Sequence, residues 1–384
     1  MNERVAIIGI GTTGFSPVSP DLSFKELTYS AAVKAYDEAG LHPKEIDSFI
    51  TGSEDFMEGY SIFDEYIPDQ MGAVMRPAHT VCADFIQAMG MGCMMINTGQ
   101  FRTIAVEAHS KASNIKTLDE VKAFALDPVY IRTLKENAEF VAGLEMRRFL
   151  GDTGNTEEQC AAVVVKNRRN ALMNPDAGHG AVLTINDVLS SHPVSTPLKH
   201  LDAAAPSDGA IMIVLAAEEV AKKLCSNPIW VKGFSWFSAE GNLWNRDMSE
   251  AKYARLAAKK AYAMAGIFQP SKDIDFAEVC DEYSYKELQH LEALGFARKG
   301  ESGFLTETGA TSLGGEMPVN TSGGSIGVGH TFEASGGMKV NEAVLQLRGL
   351  AGKRQIKGAR TGLVQSWRGV PTATGSVAIL SNEL

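Results

Sequence analysis

Two stretches of the chain carry the same order of apolar and polar positions. In each, an apolar run predicts a strand, at 4–11 and again at 228–234, and an Ala-rich segment ending in glycine then predicts a helix. A proline-containing loop and an Ile-Asp pair follow and lead into a short second strand. The helical segments match at one constant offset of 226, with Ala31, Ala32, Lys34, Ala35, Tyr36, Ala39 and Gly40 corresponding to Ala257, Ala258, Lys260, Ala261, Tyr262, Ala265 and Gly266.

This repeat indicates an internal duplication and therefore predicts the architecture. We expect an α/β protein made of two related halves, residues 1–226 and 227–384, packed tightly together. Residues from about 115 to 200 have no counterpart in the second half. Because they are charged and helical in pattern, they predict an inserted loop region.

The sequence GIGTTG at 9–14 follows the first strand and fits the spacing of a dinucleotide-binding motif. That motif binds pyrophosphate only when a helix begins within it. Here Pro17 and Pro20 delay the helix until about Ser23, and the acidic residue near the expected distance, Asp37, lies inside the helix. We therefore do not expect a nicotinamide cofactor.

Composition narrows the classes of function. The 384 residues are 45% hydrophobic and 21% charged, as in ordinary globular proteins, and no stretch approaches the roughly 18–20 apolar residues that span a bilayer. A net charge of −10 argues against nucleic-acid binding, since the basic cluster KNRRN at 166–170 is short enough to be a solvated helix face. The five cysteines are widely spaced and form no CxxC pair, so we expect neither disulfides nor a zinc site, and a cytoplasmic location.

Cys82 opens a nearly uncharged segment rich in Ala, Met, Gly and Ile, which predicts a buried helix from Ala83 to about Asn97. In the first turn of a helix, unpaired amides and the helix dipole favour an anion and lower the pKa of a thiol. Cys82 is therefore a candidate nucleophile. The alternative is an inert core cysteine, which is the interpretation that we give to Cys93 in the same helix.

A second distinctive segment, NTSGGSIGVGHTFEASGG at 320–337, is rich in glycine and contains one residue that titrates near neutrality, His330. Glycine at this density permits close backbone approach and predicts a tight turn built around another group. A helix is predicted to begin near Glu333. A phosphate-binding loop is the alternative, but the GxxxxGK[ST] spacing is absent.

Cys280 ends the second strand of the second repeat, and ligands in α/β folds are held at such carboxyl ends of strands. A structural cysteine is an equally good interpretation of this residue. Asp281 and Glu282 follow it and need be no more than charges at the start of the next helix.

Two duplicated α/β halves, a cysteine opening an apolar helix in the first, and NTSGGSIGVGH in the second resemble the thiolase superfamily. The segment AEVCDEYSYKELQHLEALGF at 277–296 resembles its archaeal and sterol-carrier-type branch. The resemblance implies a layered α-β-α-β-α fold, Cys82 as the acylated nucleophile, and His330 as the histidine that activates it and polarises a thioester carbonyl. It also implies that Asn320 is structural or supporting, that Gly369 and the nucleophile supply oxyanion-binding N–H groups, and that no metal is needed.

The sequence departs from the family pattern at several positions. Thr331 follows the histidine where proline is usual, and Asp84 and Phe85 follow the nucleophile where small residues are usual, which should reshape the acyl pocket. The segment at 364–380 lacks the second cysteine of biosynthetic and degradative thiolases, whereas Cys280 stands where this branch usually has histidine. One hypothesis is that Cys280 supplies the missing acid/base thiol.

The resemblance implies cleavage of a 3-ketoacyl-CoA by coenzyme A through an acyl-cysteine, or the reverse Claisen condensation, with coenzyme A as substrate and no permanently bound cofactor. A large or aromatic acyl group, of benzoylsuccinyl-CoA type, would suit four bulky residues that fit a core equally well, Phe85, Trp236, Trp244 and Trp367. The family also implies a homodimer and a small zinc-ribbon/OB-fold partner subunit. The alternatives are a ketosynthase-like condensing enzyme and a non-catalytic, acyl-CoA-binding scaffold subunit.

Overall fold

The structure, a computed structural model, describes residues 3–53, 63–134 and 137–384. Its strands are β1 (Val5–Thr12), β2 (Ser48–Gly52), β3 (Ala78–Val81), β4 (Thr103–Ser110), β5 (Pro193–Ser195), β6 (Leu198–Lys199), β7 (Gly209–Ala217), β8 (Ile229–Ser238), β9 (Phe276–Glu278), β10 (Thr361–Trp367) and β11 (Thr374–Ser381). Its α-helices are α1 (Phe24–Ala39), α2 (Phe63–Tyr66), α3 (Pro68–Met71), α4 (Phe85–Asn97), α5 (Leu118–Ala123), α6 (Glu139–Thr153), α7 (Glu157–Ala171), α8 (Ile185–Leu189), α9 (Glu218–Leu224), α10 (Lys252–Ala265), α11 (Pro270–Asp273), α12 (Ser284–Ala293), α13 (Ser302–Glu307), α14 (Gly324–Val328) and α15 (Ser335–Arg348).

The strands reveal the duplication. Within the described residues, nine strands form one mixed sheet in the order β3-β2-β4-β7-β1-β8-β11-β10-β9, and β5 and β6 form a separate ribbon. From the edge to the centre, β2, β4, β7 and β1 have the same order and directions as β9, β10, β11 and β8. The duplicated α/β fold predicted from the sequence is therefore confirmed, whereas the division between residues 226 and 227 stays a prediction.

The Ile-Asp pair of each repeat has the same role in both halves. The Asp47 carboxylate accepts hydrogen bonds from two consecutive backbone N–H groups where β4 begins, at 2.7 and 3.1 Å. The Asp275 carboxylate accepts the equivalent pair where β10 begins, at 2.7 and 2.9 Å. The sequence match thus preserves a specific contact that aligns neighbouring strands.

Two helices lie between the halves and form the centre of the protein. α4 and α15 pack against each other and share one buried apolar cluster with strands of both halves. α1 covers the outer face of the first half, and α10 covers the outer face of the second. The layers therefore follow the predicted α-β-α-β-α order.

The predicted inserted region contains α5 to α8 and the β5–β6 ribbon. α7 packs against α12 and α14 of the second half. Asn167 on α7 donates hydrogen bonds to the buried carboxylates of Asp281 (2.8 Å) and Glu287 (2.7 Å). Buried polar contacts therefore fasten the insertion to the segment that carries the candidate site residues of the second half.

The glycines of the GIGTTG motif make room for α1. A Cβ atom on Gly9 would lie 2.2 Å from the carbonyl oxygen of Ala35, and one on Gly11 would lie 2.1 Å from that of Ala31. α1 begins only after its N-cap residue, Ser23, as predicted. These glycines therefore serve close strand–helix packing, and no helix begins within the motif.

We predict that Gly9→Ala destabilises the protein, because the added methyl group has no space between β1 and α1. Overpacking of this kind typically costs about 1–3 kcal/mol. The matched control is Gly151→Ala on an exposed part of α6, where a Cβ meets nothing within 4 Å and the better helix propensity of alanine should stabilise slightly. Thermal and denaturant unfolding measure both, and equal effects of the two changes would contradict the packing argument.

Candidate active site

Cys82 lies on the short loop between β3 and α4, where it is exposed. The prediction of a helix from Ala83, with the thiol in its first turn, is wrong because α4 begins at Phe85 and its N-cap is Asp84. The Asp84 carboxylate accepts a hydrogen bond from the backbone N–H of Ile86 at 2.8 Å. A protein carboxylate therefore occupies the anion-favouring helix end, and the thiol stands just outside the helix.

Asp84 joins three segments that are far apart in the sequence. Its carboxylate also accepts hydrogen bonds from the backbone N–H of Gly336 (3.0 Å), at the start of α15, and from the hydroxyl of Ser366 on β10. Burial raises the pKa of this carboxyl, and the hydrogen bonds oppose that rise. Because Asp84 is buried and the protein occupies its oxygens, it does not open onto an acyl pocket as the sequence led us to expect.

His330 is held by backbone pairing to a segment of the first half. Its N–H donates to the carbonyl oxygen of Ala205 (2.8 Å), and its carbonyl oxygen accepts from the N–H of Ser207 (2.9 Å). Burial, and then the positive charges of Lys122 and Lys339, keep the pKa of the imidazole well below its ordinary value. The ring is therefore neutral near pH 7 and takes up a proton only when negative charge arrives beside it.

Glycines on either side of this histidine make room for carboxylates of the protein itself. Asp281 accepts a hydrogen bond from the backbone N–H of Ser325 (2.5 Å), and a Cβ on Gly324 would lie 2.2 Å from its carboxylate. A Cβ on Gly336 would likewise lie 2.4 Å from an oxygen of Asp84. The tight turn predicted from the glycines therefore closes around two buried side chains.

The sequence pattern identifies Glu282 only as a charge near a helix start, but its carboxyl lies beside His330. The distance from Glu282 Oε1 to His330 Nε2 is 3.8 Å, and a Cβ on Gly369 would lie 3.1 Å from Glu282 Oε2. Burial raises the pKa of Glu282 to about 7, opposed by the charge of Lys122 and reinforced by that of Glu139. Its position after a strand end was the available sequence signal, since ligands in such folds are held there.

Cys280 is enclosed by protein on the same loop. Its N–H donates to Gln365 Oε1 (2.8 Å), and its carbonyl oxygen accepts the Nδ1–H of His290 (2.8 Å). Its side chain is 2% exposed in an apolar cluster that includes Tyr283 and Trp367, and burial raises its pKa to about 12. These are the surroundings of a structural cysteine, and its acid/base role stays a prediction.

Asn320 and Gly369 both adopt left-handed backbone conformations, with φ of +53° and +78°. Asn320 accepts a hydrogen bond from the N–H of Val279 (2.8 Å) and donates one to Glu287 (2.7 Å), so its side chain fastens β9 to α12. The carbonyl oxygen of Gly369 accepts from the N–H of Thr372 (2.9 Å) in a tight turn after β10. That turn brings Gly369 against Glu282.

The bulky residues expected near an acyl group occupy different environments. Phe85 is fully buried in the central apolar cluster, and Trp367 is 4% exposed with the Lys286 ammonium 4.0 Å above its ring. Phe85 and Trp367 are therefore core residues, which is the alternative to a place beside the acyl group. Trp236 lines a cavity of about 690 Å³ with Met94, and Trp244 is 52% exposed.

That cavity lies at the far end of α4 from Cys82. Met94 and Asn97, which help to line it, follow the first residue of α4 by nine and twelve positions. At 1.5 Å per residue they lie about 14–18 Å along the helix from its N-terminus. The cavity is therefore separate from the Cys82 loop.

The part of the chain that the structure describes contains no group of three or more His, Cys, Asp or Glu residues arranged to hold a metal ion. Nor is any helix in these residues both long and apolar enough to cross a membrane. The structure brings Glu282, His330 and Gly369 together, and Asp84 links the Cys82 loop to the segments that follow His330 and precede Gly369.

The chain is similar to known thiolase-fold proteins in sequence and in structure. Residues 240–382 match the family model described as Thiolase C-terminal domain-like. The chain is 32% identical to the acetyl-CoA acetyltransferase of Methanothermobacter thermautotrophicus, across 98% of this chain and 99% of that protein. It is also 32% identical to the benzoylsuccinyl-CoA thiolase subunit BbsB of Thauera aromatica, across 53% of each chain. The solved structure of an Ltp2-ChsH2(DUF35) aldolase superposes with a TM-score of 0.84 and 26% identity, covering 98% of this chain and 97% of that one.

The duplicated five-layer fold, with central helices between two half-sheets, defines a thiolase-fold protein. With 32% identity to an acetyl-CoA acetyltransferase over nearly the whole of both chains, the protein belongs to the thiolase family. The relatives support a thiolase-type function at this general level.

We predict that Asp84→Ala destabilises the protein strongly, because three buried donors, on Ile86, Gly336 and Ser366, lose their acceptor. Each buried polar group left unpaired costs about 1–3 kcal/mol. Asp84→Asn keeps an acceptor oxygen and should be milder. The control is Asp37→Ala on the exposed face of α1, which should change the free energy of unfolding by about 0.5 kcal/mol or less. If both alanine variants melt alike, Asp84 does not hold these segments together.

Proposed function

We propose that this chain is a thiolase-type acyltransferase that cleaves a 3-ketoacyl-CoA with coenzyme A through an acyl-Cys82 intermediate, or catalyses the reverse Claisen condensation. One observation carries the proposal: Asp84 ties the loop of an exposed thiol to the segment of a buried, neutral histidine, His330. Membership of the thiolase family and the similarity to an acetyl-CoA acetyltransferase support it.

In the first half-reaction, the Cys82 sulfur attacks the keto carbon and the thiol proton passes to His330. The adjacent carbon–carbon bond breaks, and its electron pair leaves on the departing acyl-CoA as an enolate that an acid must protonate. In the second half-reaction, coenzyme A loses its thiol proton to a base and takes the acyl group, and Cys82 recovers its proton from His330. Coenzyme A acts as a substrate, and the scheme uses no permanently bound cofactor.

The backbone N–H groups of Cys82 and Gly369 are the proposed donors to the negative oxygen that forms during attack. The left-handed conformation of Gly369 and its turn to Thr372 support this assignment, because they fix the direction of the backbone there. Losing one such donor typically costs about 2.7–4 kcal/mol of transition-state stabilisation.

The proposals for the acyl group of the substrate depend only on similarity to relatives. The burial of Phe85 and Trp367 removes the support that these residues gave to a large or aromatic group. The remaining support for an aromatic, benzoylsuccinyl-CoA-type substrate is the 32% identity to BbsB over about half of the chain. One relative matched over nearly its full length is an acetyl-CoA acetyltransferase, so we include acetoacetyl-CoA among the first substrates to test.

We also propose a cytoplasmic homodimer with a small zinc-ribbon/OB-fold partner. The Ltp2-ChsH2(DUF35) aldolase, whose name joins two components, supports the idea of a partner. The edge strand β3 directly precedes the Cys82 loop, so a second copy paired there would brace that loop.

We predict that the purified chain has twice its single-chain mass in light scattering. Replacing Thr80 on β3 with proline, which blocks edge pairing, should then yield the monomer with an unchanged circular dichroism spectrum. A wild-type chain that is monomeric across the micromolar range would remove the dimer from the proposal.

A second candidate function is retro-aldol cleavage of a 3-hydroxyacyl-CoA. The observations in its favour are the 0.84 TM-score to an aldolase and the absence of cysteine from 364–380. Such a reaction needs an acid/base group but no acyl-enzyme, so it does not depend on Cys82.

We predict that acetoacetyl-CoA, or a member of a panel of aliphatic and aromatic 3-ketoacyl-CoAs, adds one acyl group to the wild-type chain in intact-mass spectrometry. Cys82→Ser should acquire none, and coenzyme A should remove the adduct from the wild type. Cys225→Ser is the matched control, because this half-buried thiol lies at the end of α9, away from the site, and should leave acylation unchanged.

Each other result selects a different function. An adduct that coenzyme A cannot remove favours a ketosynthase-like enzyme. Cleavage of a 3-hydroxyacyl-CoA that survives Cys82→Ser favours the aldolase. No adduct and no cleavage with any member of the panel favours a scaffold subunit.

A further inference from the structure

One oxygen of the Glu282 carboxyl has no hydrogen-bond partner in the described part of the protein, although the side chain is only 5% exposed. The Nδ1 atom of the neighbouring His330 is in the same situation. Buried polar atoms are nearly always paired, and unpaired ones need an explanation. Two such atoms on adjacent residues indicate a place where a substrate supplies the missing contacts.

Two other buried carboxyls of this region, Asp84 and Asp281, are hydrogen-bonded by the protein through both of their oxygens. Asp84 accepts three hydrogen bonds, and Asp281 accepts from two backbone N–H groups and from Asn167. Glu282 instead has one oxygen 3.8 Å from His330 and the other against Gly369. Glu282 therefore differs from Asp84 and Asp281 in the contacts that the protein gives its carboxyl.

Cys280, two residues earlier, is the competing group. Its side chain lies in an apolar cluster with aromatic residues such as Tyr283, and burial raises its pKa to about 12. A thiol in that state neither donates nor accepts a proton readily near pH 7, because the ideal acid/base pKa lies near the working pH. Glu282, with a pKa of about 7, meets that condition.

We propose that Glu282 is the acid/base group of this active site, in the role that the missing C-terminal cysteine leaves open. This inference rests on the proposed thiolase-type function. The geometry that supports it is the position of the Glu282 carboxyl beside both the candidate histidine, His330, and the candidate oxyanion glycine, Gly369.

The proton transfers balance over the two half-reactions. After the carbon–carbon bond breaks, the Glu282 carboxylic acid gives its proton to the enolate carbon, which releases an acyl-CoA and leaves a carboxylate. The carboxylate then takes the thiol proton of coenzyme A, whose sulfur forms a thioester bond as the bond to Cys82 breaks. Glu282 returns to the acid form, and no oxidant or reductant is needed.

Proximity to His330 couples these transfers. When Glu282 is protonated, a neutral imidazole lies beside a neutral acid, which suits two buried groups. When Glu282 has released its proton, His330 holds the proton from Cys82, and the two form an ion pair. The Glu282 carboxylate therefore arises next to the imidazolium that formed during the attack by Cys82.

The test is exchange of the C2 protons of acetyl-CoA and propionyl-CoA with deuterium oxide, followed by mass spectrometry. Wild-type protein should exchange them, and Glu282→Gln should be slower by about 10²- to 10⁴-fold, the usual contribution of general acid–base catalysis. Glu282→Asp, with a shorter side chain, should recover part of the rate. Iodoacetamide labelling of Cys82 should remain within a few-fold of wild type in both Glu282 variants, which shows that the nucleophile loop is intact.

Two controls separate this inference from its rivals. Cys280→Ser should exchange as wild type, and so should Glu301→Gln, which alters an exposed carboxylate. Cys82→Ser should keep exchange while losing the acyl adduct. Wild-type protein that exchanges the C2 protons but forms no adduct would contradict the acyl-enzyme intermediate and leave the role of Glu282 standing. Glu282→Gln exchanging at the wild-type rate, loss of exchange in Cys280→Ser, or no exchange by the wild type overturns the inference.

The pH profile gives an independent measurement. Exchange should rise with pH as the carboxylate forms, with a midpoint near 7, and this limb should be absent from the residual rate of Glu282→Gln. The charged and titratable groups of the described residues that interact electrostatically with Glu282 include Lys122, Glu139, Lys286, His330, Lys339, Tyr253, Cys280 and Tyr283. An unchanged limb in Glu282→Gln assigns it to one of these groups and contradicts the inference.

Discussion

A single buried carboxylate connects the parts of the candidate site. Asp84 caps α4 directly after the Cys82 loop and accepts hydrogen bonds from α15 and β10 of the other half. Because α15 begins five residues after His330 and β10 ends two residues before Gly369, these bonds relate three loops to one another. The central helices supply apolar packing, but this polar junction determines how the loops meet.

Glycines at this junction allow buried carboxylates to lie directly against the backbone. Burying a carboxylate is costly unless hydrogen bonds replace its water, and backbone N–H groups reach it only where no Cβ intervenes. Gly324 and Gly336 meet that condition for Asp281 and Asp84, and the buried ammonium of Lys339 lowers the pKa of both carboxyls against the effect of burial. The glycine-rich segment thus carries the electrostatics of the site as well as its shape.

The sequence predicted the fold from local periodicity and from the repeat, because each half must place the same apolar faces against the same neighbours. It predicted Cys82 and His330 through residues that stand next to them in the chain. It did not predict the capping contacts of Asp84 or the burial of Glu282 beside His330, because nothing local distinguishes a capping carboxylate from a pocket residue or a buried carboxyl from a helix-end charge. That distinction depends on partners such as Gly336, which is 252 residues from Asp84.

The repeated strand order has a consequence for the origin of the site. Cys82 belongs to the first copy, whereas His330, Glu282 and Gly369 belong to the second, and β1 and β8 join the copies through only two residue pairs. A single unduplicated unit would therefore hold only part of these groups and would have to associate with another copy to complete the set. Joining the two copies in one chain makes that association intramolecular, and the copies differ in what they contribute: among the described residues the second copy has no strand equivalent to β3, and the sequence of the first has no glycine-rich histidine segment.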